Sequence, residues 1–143
     1  MFTDTQNSTE RLSAWREFRK TPFATPQELV TQFESMQAKP RYIDYYTPST
    51  WPNMFEIVSD GLFCQSGITL LLTATLQYYD FIKPGNLRFD AISNHITGQD
   101  GLILVYDGLC YNFTPGKIET AQYVKNNSTC YDSHIITTDN LFA

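Results

Sequence analysis

The sequence predicts an α+β fold, with N-terminal helices packed on one face of an antiparallel sheet of four to six strands. Three observations predict it. Apolar residues recur at helical spacing through the first eighty or so positions, the period changes to two from Leu87 onward, and the later segments are separated by turns too short for parallel crossovers.

In residues 9–20, Leu12, Trp15 and Phe18 fall on one helical face. The next helix has the clearest start signal: Thr25-Pro26-Gln27-Glu28 sets a hydroxyl at the N-cap, Pro at N1 and Glu at N3, a capping box. Leu29, Val30, Phe33 and Met36 form its apolar stripe, and Pro40 ends it. Residues 41–46 read as a short strand. Residues 47–61 read as a loop and a short helix, capped by Ser49 or Thr50, with Pro52 in the first turn and Asp60-Gly61 as the stop. A longer helix is expected over 63–81, with Cys64, Ile68, Leu71, Leu72, Leu76 and Tyr79 on its buried face and Lys83-Pro84-Gly85 ending it.

Leu87, Phe89 and Ala91 alternate with Arg88 and Asp90, as in a strand with one buried face. Residues 98–101 form a turn. Residues 102–106 and 109–113 flank Asp107-Gly108, a two-residue hairpin signal. Residues 117–124 and 130–138 complete a meander.

A chain of 143 residues suits a single domain over 1–143, with a frayed 1–8. Its aromatic content of 15% supplies a core without staples. The net charge of −5, with scattered Lys and Arg, argues against nucleic acid and anionic membrane partners. Cys64, Cys110 and Cys130 are odd in number and lack a CxxC spacing, so neither a disulfide framework nor a zinc site is expected. No signal peptide or spanning segment is visible, which gives a cytoplasmic expectation in which the glycosylation-type triplets carry no meaning. Two His and scattered carboxylates predict no metal and no cofactor.

The candidate chemistry centres on Cys64, at the head of the long helix, where unpaired N–H groups favour a thiolate. His95 is a candidate base and Asn112 a candidate orienter of its ring. The plain alternative is that Cys64 is a core residue of the helical stripe. A pairing around the turn at 98–101 sets Ile103 opposite both Ile96 and Asn112, and then His95 and Asn112 point to opposite faces. A second arrangement, His95-Ile96-Thr97 with His134-Ile135-Ile136-Thr137, has the form of a phosphoesterase pair, but its second motif is broken. Tyr42, Tyr45, Tyr46, Trp51, Met54 and Phe55 crowd a Pro-rich stretch and form a candidate protein-binding surface.

The order Cys, His, then amide over residues 60–115 resembles that of transglutaminase-like and papain-like cysteine hydrolases. Asn112-Phe113-Thr114-Pro115 looks like the Asp-Pro-Thr segment of transglutaminase-like domains. The resemblance implies that fold, with Cys64 as nucleophile, His95 as base and Asn112 as orienter. Residues 45–57, with Trp51-Pro52 and Phe55-Glu56, resemble a stretch in small proteins of tailed bacteriophages, which implies an accessory or virion component. No catalytic signature is complete, so the sequence reading is a non-catalytic protein-interaction or assembly protein of bacteriophage origin, in host cytoplasm or virion. Its partner would be another protein, and homo-oligomers are compatible with it. A thiol hydrolase or acyltransferase is the alternative.

Overall fold

The structure, a computed structural model, describes residues 2–3, 5–36 and 43–137. Its first helix, α1 (Ser8–Phe18), is closed by a capping box in which Asn7 and Glu10 satisfy each other's backbone N–H groups. Ahead of it, the Phe2 ring stacks on Phe63 at 4.9 Å. Next comes α2 (Pro26–Thr31), capped by Thr25 as expected. Its Glu28 carboxylate accepts from Ala24 N rather than from the cap residue, so only half of the box forms. Residues 37–42, with Tyr42 and Pro40, lie outside the described residues, and residues 43–46 are irregular rather than a strand.

The short helix α3 (Met54–Asp60) starts later than the sequence suggested. Its cap is Asn53, which forms a capping box with Glu56, and Gly61 ends it in the left-handed conformation at φ 69°. Ser49 and Thr50 instead belong to a 3-10 turn, Pro48–Thr50. The long helix α4 (Gln65–Tyr78) is buried from Ser66 to Leu76 on every side. It is wedged between α2, α3 and the sheet, so the one-sided stripe expected of it is replaced by burial all round. Its threonines tolerate this because Thr73 and Thr75 donate to the carbonyls of Thr69 and Leu71, four residues back.

Among the described residues five strands follow: β1 (Asn86–Asn94), β2 (Asp100–Tyr106), β3 (Leu109–Tyr111), β4 (Ile118–Thr120) and β5 (Ser128–Thr137). All pairings are antiparallel and the order is β4-β3-β2-β1-β5. The β2–β3 hairpin turns through Asp107 and Gly108, with φ of 52° and 76°, the pair of left-handed residues that a tight hairpin needs. The segment 117–124 departs from expectation. Only Ile118–Thr120 is strand, and Thr120 then caps a helix, α5 (Ala121–Asn126). That helix carries the chain back so that β5 joins β1 rather than β4, which breaks the meander.

Leu87, Phe89, Ala91, Leu102, Leu104 and Tyr111 point to the face under α4 and form the main core with Trp15, Leu29 and Ile57. Ile92, Ile103 and Cys110 point to the other face and form a smaller core with Phe113 and Val124. Among the described residues no helix is long and apolar enough to cross a membrane.

Candidate functional site

The head of α4 is built from Leu62-Phe63-Cys64-Gln65. Cys64 is itself the N-cap: its Sγ accepts from Gly67 N at 3.3 Å, in the place a Ser or Asp oxygen usually takes. The sulfur is partly buried and packs at the margin of the main core. The first N–H groups of the helix have no carbonyls of their own and surround it with positive potential.

The next residue locks the helix to the sheet. Gln65 Nε2 donates to Leu102 O at 2.8 Å and to Asn112 O at 3.1 Å, and Oε1 accepts from Leu102 N at 3.1 Å. Asn112 answers, its Nδ2 donating to Gln65 O at 3.1 Å and to Thr69 Oγ1 at 2.9 Å. This is possible because Asn112 is left-handed, with φ 67°. Strand alternation after Tyr111 would aim its side chain away from α4, and the positive φ turns it back. Gly101 faces the same amide so closely that an added Cβ would stand 2.1 Å from Gln65 Oε1.

The β1–β2 register corrects the pairing expected from the sequence. Ile103 lies opposite Asp90 rather than Ile96, and the ladder ends at Ser93–Asp100, so His95 and Ile96 are both in the turn. His95 is exposed and its Nε2 is 2.8 Å from Thr129 Oγ1. Thr129 pairs with Ser93, which shares a face with Ala91, so the hydroxyl that holds the His95 ring is on the α4 side. Beside it Tyr131 donates to Asp100 Oδ1 at 3.2 Å.

Cys64 and His95 thus lie on one side of the sheet, while the described residues contain no hydrogen bond between them. Asn112 is not brought to His95; it is committed to α4, and Thr129 holds the imidazole instead. Sequence reasoning missed Gln65, Thr69, Gly101 and Thr129. The signal for Gln65 was its place in the first turn beside Cys64, and nothing local marked Thr129.

The aromatic stretch does not form one surface. Trp51 is 7% exposed, its Nε1 donates to Asp44 O at 2.7 Å, and its ring packs edge-on against Phe89 and His134. Tyr45 and Met54 are half-buried against the core, which leaves Tyr46 and Phe55 exposed among its described members. His134 donates from Nε2 to Tyr45 O at 2.6 Å and shares no partner with His95, so the phosphoesterase pair is not assembled. Cys110 is buried, and its thiol is pushed up to about 11, first by burial and then by the Asp90 charge.

No family model matches the sequence, and no curated protein matches it. Solved structures do resemble it. Legionella pneumophila LapG in its calcium-bound form superposes with a TM-score of 0.65 at 16% identity, covering 94% of this chain and 82% of that one. A second LapG structure gives the same values, and EGTA-treated LapG gives 0.61 at 14% identity, covering 99% and 86%. These neighbours are cysteine proteases. They correct the expectation of a non-catalytic interaction or assembly protein, and they lend nothing to the bacteriophage resemblance of residues 45–57. The helices, the five-stranded antiparallel sheet and the LapG likeness together make this a transglutaminase-like fold.

Proposed function

We propose that the chain is a thiol hydrolase or acyltransferase acting on an amide, with Cys64 as nucleophile and His95 as base. The observation that carries this reading is the sulfur at the N-cap of α4, 3.3 Å from Gly67 N, in a fold shared with cysteine proteases.

In this scheme His95 takes the Cys64 proton as sulfur attacks the carbonyl carbon. The first N–H groups of α4 stabilise the oxyanion. The C–N bond then breaks, His95 returns the proton to the departing amine, and a thioester remains. Water or a second amine attacks the thioester, gives its proton to His95, and restores the thiol. Attack requires the imidazole within hydrogen-bond reach of sulfur. In the free chain its Nε2 is engaged by Thr129, so the reading requires the exposed turn after β1 to move toward α4 with substrate bound. LapG is known in a calcium-bound form, but among the described residues no three His, Cys, Asp or Glu side chains cluster, so the donor set here does not fit that ion and no step passes through it.

Alkylation by iodoacetamide as a function of pH tests the nucleophile. The expected profile has one fast thiol, lost in Cys64→Ala. Hydrolysis of a fluorogenic peptide-amide pool should disappear in Cys64→Ser and His95→Ala. A Cys64 that reacts more slowly than the exposed Cys130, and only after denaturation, refutes the reading.

A further inference from the structure

The face of the sheet away from α4 carries a site of different character. Beside α5 lies a cleft of about 330 Å³, within the size range of small-molecule sites. Its apolar floor is Ile92, Val105 and Val124, part of the smaller core. Its polar wall is unusual for a sheet face. Asp90, only 6% exposed, accepts from Arg88 Nε at 2.8 Å, from Arg88 Nη2 at 2.9 Å and from the Ser133 hydroxyl at 2.7 Å.

A buried carboxylate on a largely apolar face costs desolvation energy, and apolar replacements often fold equally well. What Asp90 achieves is orientation. It grips one edge of the guanidinium and fixes its plane, while Nη1 takes no part in that fork. The Arg88 side chain remains 49% exposed. Lys125, exposed in the last turn of α5, is a second cation on the cleft wall. A bulge in β5 lies at the same place, where Ala91 pairs with Asp132 but Ile92 with Cys130, and it bends that wall.

We propose that this cleft binds a small amphipathic monocarboxylate, its chain on Ile92, Val105 and Val124 and its carboxylate between Arg88 Nη1 and Lys125 Nζ. The proposal does not depend on the chemistry of Cys64. A planar anion suits the free edge of the guanidinium, and the apolar floor suits a short alkyl or aryl chain better than a bare inorganic anion.

Cys130 lines the same cleft and is exposed, so it reports on occupancy. In the full chain carrying Cys64→Ala, Cys130 is the reactive thiol, because Cys110 is buried with its pKa pushed up to about 11. Its alkylation by iodoacetamide is timed with hexanoate, hexanol or hexylammonium present. Hexanoate is expected to slow the reaction about tenfold at about ten times its Kd, since only the free protein reacts. Hexylammonium should have no effect. Lys125→Glu, an exposed change that leaves the core intact, should abolish protection with the melting temperature retained. No protection by about 10 mM hexanoate, where a millimolar site is nearly saturated, overturns the proposal. Equal protection by hexanol, or protection that survives Lys125→Glu, overturns it as well.

Discussion

Gly101→Ala is expected to destabilise the chain through one side chain, Gln65. Gly101 is in a strand and lacks a positive φ, so the backbone accepts alanine, and the loss of unfolded-state freedom alone would stabilise by about 0.4–1 kcal/mol. The new Cβ, however, would stand 2.1 Å from Gln65 Oε1 and 2.6 Å from its Cδ. A free glutamine end would swing aside cheaply. This one holds Leu102 N, Leu102 O and Asn112 O. Its expulsion removes these three hydrogen bonds to the sheet and the β3 end, at about 1 kcal/mol each. Leu102 keeps partners in Ser66 and Thr69, so the orphaned group is Asn112 O. The net loss is about 2 kcal/mol, or roughly 8 °C in melting temperature for a domain of this size. Urea melts followed by the fluorescence of Trp15 and Trp51 measure it. The decisive comparison is a cycle with Gln65→Ala, in which the double variant should be no less stable than Gln65→Ala alone, because the amide is already gone. Gly101→Ala within about 0.5 kcal/mol of the parent, or additivity within that margin, refutes the reasoning.

Stability should fall between about pH 9 and 11, because unfolded Cys110 loses its proton near 9.0 while the folded thiol keeps it to about 11. The slope is at most about 1.4 kcal/mol per pH unit, and pH-dependent urea melts of Cys110→Ala should lack it. Asn53→Ala removes the cap of α3 and should cost about 1 kcal/mol in a thermal melt. Asp90→Ala strips Arg88 and Ser133 of their shared acceptor and should cost about 2 kcal/mol by urea melt, with Asp90→Asn milder because an acceptor oxygen remains.

The fold class was legible because local signals agreed with the global arrangement. Thr25-Pro26, Asp107-Gly108 and the alternation from Leu87 each specify their own geometry, and each appears where expected. The errors came where a side chain chose between equivalent partners. Asn53 took the cap that Ser49 and Thr50 could have taken, because Glu56 three residues later completes its box. Thr120 began a helix inside a segment whose apolar spacing also fits a strand. The site was less legible than the fold. Cys64 at the head of α4 followed from helix boundaries alone, while the roles of His95 and Asn112 turned on register. A six-residue slip in the β1–β2 pairing moved His95 from the ladder into the turn. The left-handed backbone at Asn112 turned its amide to α4, which alternation could not foresee.

β5 forms one margin of the sheet, ten residues long, with no described strand outside it. Such a margin offers a rail of amides to any extended peptide, including a second copy of the same strand. The offset at Cys130–Asp132 breaks the rail into two short runs that a straight intruder cannot match at once. The irregularity that shapes the cleft on one face therefore also guards the chain against zipping onto its own kind.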